Sequence, residues 1–217
     1  MTVATVTLLS ELSKVEVSKI DRAKIGQASS HAFIGVPCGI MDQLISSTGK
    51  EGHATLIDCR SLSLEYVPMV DDNVVVVVCN SNVKHELEGS EYSTRKQQCE
   101  TAVEAIKKRH PKNDKITHLR DCTMDQLDAC KGDISEEVYK RAHHVLSEDV
   151  RTLACVKALK SGDYFHAGKM MSDCHVSLRD DYEVSCLELD VLVDIASGIP
   201  GVYGSRMMGG VRIRLSI

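Results

Sequence analysis

The chain has 217 residues and 23.8 kDa, enough for one large domain or two small ones. With 43% apolar and 26% charged residues it can build a core and is not disordered by composition. Its 26 Lys plus Arg against 31 Asp plus Glu give a net charge of −5, which argues against a general nucleic-acid binder.

Residues 3–14 repeat apolar positions at Val3, Val6, Leu9 and Leu12, a helical stripe. The N-terminal MTVATVTLLSEL has no basic n-region and meets Glu11 early, so no secretory signal is expected. No apolar run approaches the ~20 residues of a membrane helix. The chain therefore reads as soluble, cytoplasmic and without a membrane partner. A second helix is expected from Val17 to Phe33, with Ser18 as N-cap and Asp21 three residues on. GVPCG at 35–39 breaks regular structure, and IMDQLISS at 40–47 opens a third helix. HATLIDCR (53–60) and VVVVVCNSNV (74–83) are the clearest strands, joined by a turn.

Near residue 84 the pattern turns from mixed to helical, which sets an expected boundary between units 1–83 and 84–217. Glu91–Arg109 is amphipathic, 110–118 is a loop, and 119–196 reads as helix broken at Lys131-Gly132-Asp133 and Ser161-Gly162-Asp163. GIPGVYGSRMMGG (198–210) is a glycine-rich loop, and the final VRIRLSI alternates like a strand. The aromatic share is 4%, with no Trp, so the core must be aliphatic.

Nine Cys are spaced mostly about twenty residues apart without any Cys-x-x-Cys pair. That spacing lacks the paired ligands of a structural zinc site and reads as reduced thiols packed like small hydrophobes. His143 and His144 are adjacent and so point apart on a helix, which disfavours a shared metal; no metal ligand is assigned.

Asp42 follows the Gly/Pro turn and opens a helix. There it either offsets the positive helix end, worth ~0.3–1 kcal/mol, or is aimed into a cleft to take a proton from a substrate hydroxyl. GSRMMGG is equally two-sided: its glycines either let backbone N–H groups approach a phosphate or only join helix to strand. Tyr92, at the start of a helix, says nothing alone.

GVPCGIMDQ (35–43), LIDCRS (56–61), NSNVKH (80–85), SEYSTRKQQCE (90–100), RAHHVLSE (141–148), SLRDDYEVSCLELD (177–190) and GVYGSRMMGG (201–210) together resemble the galactokinases of the GHMP family of small-molecule kinases. CGIMDQ and RDDYEVSC fit them better than the GGGMDQ and RDMYECSC of the N-acetylgalactosamine kinases. The resemblance implies an α+β GHMP-kinase fold, truncated at both ends, with a helix-rich second half. Residues 1–83 would be the remainder of the N-terminal kinase domain and 84–217 an incomplete C-terminal one. It further implies transfer of the ATP γ-phosphoryl group to D-galactose at C1, with Mg²⁺ bridging the phosphates.

By the same resemblance Asp42 is the proton acceptor at the C1 hydroxyl, Gly39 a backbone contact to the sugar and Tyr92 a hydrogen-bonding partner of it. GSRMMGG (204–210) matches the start of the third motif, and its Gly209 and Gly210 would bind the nucleotide. Galactose and ATP would be the partners of a protein that is monomeric at full length. A first motif near GRVNLIGEHTDYN and a GLSSSA-type phosphate loop are not in this chain. Met208 stands for the usual Thr, and Ser30 for a common glutamate. The chain is thus expected to be a central portion that does not turn over galactose alone. A non-catalytic sensor of the same ligands, or an inactive truncation product, would share every one of these residues.

Overall fold

A computed structural model describes residues 1–35, 38–69, 71–82, 90–111, 114–208 and 214–216; the side chains of 34, 90–92 and 214–216 lie outside the description. The chain forms two compact units, Met1–Asp71 and Asp72–Ile217.

In the first unit, helices α1 (Thr2–Ser13), α2 (Lys19–Ser29) and α3 (Met41–Thr48) precede an antiparallel hairpin of β1 (His53–Ile57) and β2 (Leu64–Pro68). Ser18 caps α2 as expected: its Oγ accepts the Asp21 N–H at 3.0 Å and its hydroxyl donates to Asp21 Oδ2 at 2.7 Å. One π-helical turn, Ser30–Ile34, extends α2. Ala23, Ile40 and Leu44 form the small core, with Ile20, Ile57, Leu62 and Leu64 packed on it.

The hairpin corrects two expectations. β1 stops at Ile57 because Asp58 Oδ1 accepts the N–H groups of Arg60 (2.8 Å) and Ser61 (3.1 Å), turning the chain before the expected end at residue 60. β2 has no clear signal in the sequence, since LEYVP ends in Pro and carries a charge. It pairs with β1 from His53 opposite Pro68 to Ile57 opposite Leu64.

The second unit holds β3 (Val78–Asn80), α4 (Ser90–Arg109), α5 (Met124–Ala129), α6 (Glu136–Lys160), α7 (Tyr164–Asp180), α8 (Leu187–Ser197) and β4 (Arg214–Ser216). β3 pairs antiparallel with β4, so the strand expected over 74–83 is confined to 78–80. The preceding valines have no ladder partner among the described residues, and Val75 to Val78 are exposed. That pairing also draws residues 72–82 into the second unit, so the unit boundary falls ahead of the pattern change at 83/84. The main core joins Ala102, Val103 and Ile106 of α4 to Leu127 of α5 and Val138, Ala142 and Leu146 of α6. A second cluster packs Leu189, Val193 and Ala196 of α8 around Met207. No helix among the described residues is long and apolar enough to cross a membrane.

The helix breaks occur where polar side chains replace the lost backbone bonds. Thr123 and Gln126 cap α5 reciprocally, Ser135 caps α6 and Asp163 caps α7. One break, 181–186, contains neither Gly nor Pro and has no local signal. It is built by two arginines. Arg141 is 1% exposed; it donates to the Asp181 carbonyl (2.6 Å), Glu183 (2.8 Å) and Glu137 (3.2 Å). Arg95 donates to the Tyr182 carbonyl (2.9 Å) and the Glu183 carbonyl (3.2 Å). Glu183 meanwhile adopts a left-handed φ of 52°. Arg141→Leu should therefore cost about 3–5 kcal/mol, as charge-assisted bonds and the turn are lost together, read as a lowered midpoint in denaturant unfolding.

Candidate functional site

In the first unit, Asp42 sits in the first turn of α3, exposed, with no side-chain cap on Ile40 before it. It lines a cleft of about 730 Å³ between α1 and α3, together with Thr2, Thr7, Glu11, Gln43 and Ser46. The Asp42 carboxylate thus borders a cleft that residues of the first turn of α1 also line. Gly26 lets the three helices meet there: a methyl group on it would lie 3.2 Å from Gln43 Cγ and 3.3 Å from Thr2 Oγ1.

The segment leading to Asp42 is held through Cys38. Its carbonyl accepts from Gln27 Nε2 at 3.1 Å and lies 2.9 Å from His31 Nε2. Gln43 Nε2 reaches its Sγ at 3.7 Å. Gln43 Oε1 is buried and has no hydrogen-bond partner among the described residues. Gly39 follows directly, and a Cβ there would touch nothing within 4 Å. Gln27 and His31 are not among the residues that the sequence singles out. Their i, i+4 spacing on α2 and its π turn is the available signal, but their common target lies beyond the helix.

The other predicted residues belong to the second unit. Tyr92 falls in the first turns of α4, and its side chain lies outside the description. Gly209 and Gly210 lie outside the described residues. The loop leading to them, Gly201–Met208, is fixed against α7 and α8. A Cβ on Gly168 would come 2.3 Å from the Tyr203 carbonyl carbon, and one on Gly204 1.9 Å from the Gly168 oxygen, so two glycines allow a backbone-on-backbone contact. Arg206 Nη1 donates to the buried Cys174 Sγ at 3.2 Å, and the Met207 N–H donates to His175 Nδ1 at 3.3 Å.

All nine cysteines are free thiols; of them Cys130 and Cys174 are buried and Cys59 is exposed. Burial pushes the Cys174 thiol up to about 11. No group of three metal-ligating side chains occurs among the described residues. His143 and His144 do point apart. His143 Nδ1 lies 3.2 Å from Asp181 Oδ2, while His144 Nδ1 meets Ser177 Oγ at 3.0 Å and its ring stacks on Tyr182 at 4.5 Å.

Residues 1–50 match the family model described as GHMP kinases N terminal domain. The crystal structure of Lactococcus lactis galactokinase complexed with galactose superposes with a TM-score of 0.88 at 32% identity, covering 97% of this chain and 54% of that one. The fold is that of a GHMP kinase. Human galactokinase is 47% identical over 208 residues, 96% of this chain and 51% of its own length. Galactokinase of Chloroflexus aurantiacus is 47% identical over 199 residues, 92% of this chain and 50% of its own. The chain thus spans about half the length of the curated relatives it matches.

Burial lowers the His144 ring to about 4 from the ordinary 6.5, with Arg151 adding to the effect. The unfolded chain binds that proton near 6.5 and the folded one only near 4. The contribution, about 3 kcal/mol at ~1.36 kcal/mol per unit, is complete above pH 6.5 and lost as pH falls toward 4. Thermal melts across that window should show the midpoint falling, and His144→Phe should flatten the fall.

Proposed function

We propose that this chain is the central part of an ATP-dependent kinase that phosphorylates D-galactose at C1. One observation carries the reading: Asp42, exposed in the first turn of α3, lines an open cleft together with Thr2 and Thr7 of α1. Phosphoryl transfer to a hydroxyl needs a proton acceptor in a cleft with room for the reacting groups. Similarity over nearly the whole chain to galactokinases, one of them in complex with galactose, supplies the substrate class.

In this reading Asp42 accepts the C1 hydroxyl proton as that oxygen bonds to the γ-phosphorus and the bond to ADP breaks. Gly39 offers its unobstructed backbone to the sugar, and Tyr92 adds a hydrogen bond. The orphaned Gln43 Oε1 beside Asp42 suits a hydroxyl-rich ligand. The α1 turn, with Thr2 and Thr7, would face the phosphates, and Gly209 and Gly210 would approach the nucleotide. Mg²⁺ would neutralise phosphate charge, held mainly by the nucleotide itself, since no protein cluster for it occurs among the described residues. The kinase domains would divide near residue 83, and the full-length protein would work in the cytoplasm as a monomer.

The test is galactose-dependent ADP release by the full-length protein. Asp42→Asn should cut kcat by ~10²-fold or more, the low end for general-base assistance. Tyr92→Ala should mainly raise KM for galactose. Near-wild-type turnover with Asp42→Asn would reduce the carboxylate to a helix-end charge. Galactose binding without turnover in the wild type would favour a sensor.

A further inference from the structure

The described part of the glycine loop is held to α7 and α8 by four successive residues. Gly204 interlocks with Gly168, the Ser205 hydroxyl donates to the Val193 carbonyl at 3.4 Å, Arg206 reaches Cys174, and the Met207 N–H reaches His175. The first three contacts do not depend on protonation of a histidine. The fourth does, because a ring nitrogen accepts a hydrogen bond only while it carries no proton.

His175 is 2% exposed. Since its Nδ1 accepts the Met207 N–H, the neutral ring must carry its proton on Nε2. That nitrogen lies 3.2 Å from Asp190 Oδ1, though off the hydrogen-bond line, and the same Asp190 oxygen accepts the Ser185 hydroxyl at 2.6 Å. The Asp190 charge thus lies on the Nε2 side of the ring and electrostatically favours the tautomer that leaves Nδ1 bare.

We infer that His175, oriented by Asp190, is the positioning residue of the Gly201–Met208 loop, and that a second proton on its ring unlatches Met207 from α7. Only Met208 separates Met207 from the glycine pair proposed to approach the nucleotide, so the latch fixes where the chain enters that pair. What the loop serves rests on the kinase reading; the latch itself is read from the second unit alone. The charged groups facing the ring are Asp190 and Asp194 from α8 and Arg179 from α7. Burial outweighs the two carboxylates and holds the ring below the ordinary histidine range, so the latch is closed at neutral pH.

Two substitutions separate a latch from mere packing. Asn places an amide oxygen near the Nδ1 position and can still accept the Met207 N–H; Gln places its amide near Nε2 and cannot. In the full chain, the hydrogen-exchange protection of the Met207 amide should survive in His175→Asn. It should drop about five- to tenfold in His175→Gln, the change that losing one hydrogen bond allows. In the wild type the protection factor should fall as the ring titrates in acid, and in His175→Asn it should not. Equal protection in both variants, or retention only in His175→Gln, would overturn the inference. A measurement on the unmutated chain decides independently: ring ¹⁵N shifts at neutral pH should show a protonated Nε2 and a bare Nδ1, and a protonated Nδ1 would overturn it. Absence of galactose and ATP binding would sink the kinase reading and leave these results unchanged.

Discussion

The second unit depends on one guanidinium. Arg141 is buried to 1%, and an ion that deep must be paired or it unfolds its surroundings. Its partners lie on its own helix and on the turn after α7, so satisfying the charge fixes α6 against the 181–183 turn. Arg95 holds the carbonyls of that turn from α4, and Ser177 donates to Asp181 Oδ2 from α7 at 2.8 Å. Three helices thus converge on three residues. The direction in which α8 leaves is set there, and with α8 goes the pocket that receives Met207.

What can be read from the sequence follows from where each determinant lies. The helices are legible because their signals are local: Ser18 with Asp21, and the Gly-Asp pair at 162–163, act on backbone a few residues away. The break at 181–186 is not, because its cause sits about forty and ninety positions upstream, in two arginines that look like ordinary helix-surface charges. β2 is hidden for a related reason, since a short strand carrying Glu and Pro is made by its partner and not by its own composition.

The candidate site divides similarly. Asp42 is visible as a first-turn acid, and its local pattern fits a helix-end charge as well as a proton acceptor. Only the cleft shared with α1 adds a physical reason to prefer the second. The props behind it, Gln27, His31 and Gln43, act through the backbone and thiol of Cys38, a residue whose own chemistry draws attention away from them. His175 is likewise one histidine among nine, and its role is defined by a main-chain N–H that no side-chain pattern records.

The valine run ahead of β3 has a bearing on how the chain behaves in company. Five β-branched residues in a row, 74–78, without a charge, a Pro or a Gly, make a segment suited to stacking with copies of itself. Four of them are exposed, and only three residues at the end of the run and just beyond it are engaged in a ladder. Asp71 and Asp72 precede it, separated from it by Asn73, and their like charges oppose in-register association between molecules. Self-association of the chain through this run should therefore depend on concentration and ionic strength, because salt screens the repulsion between those carboxylates.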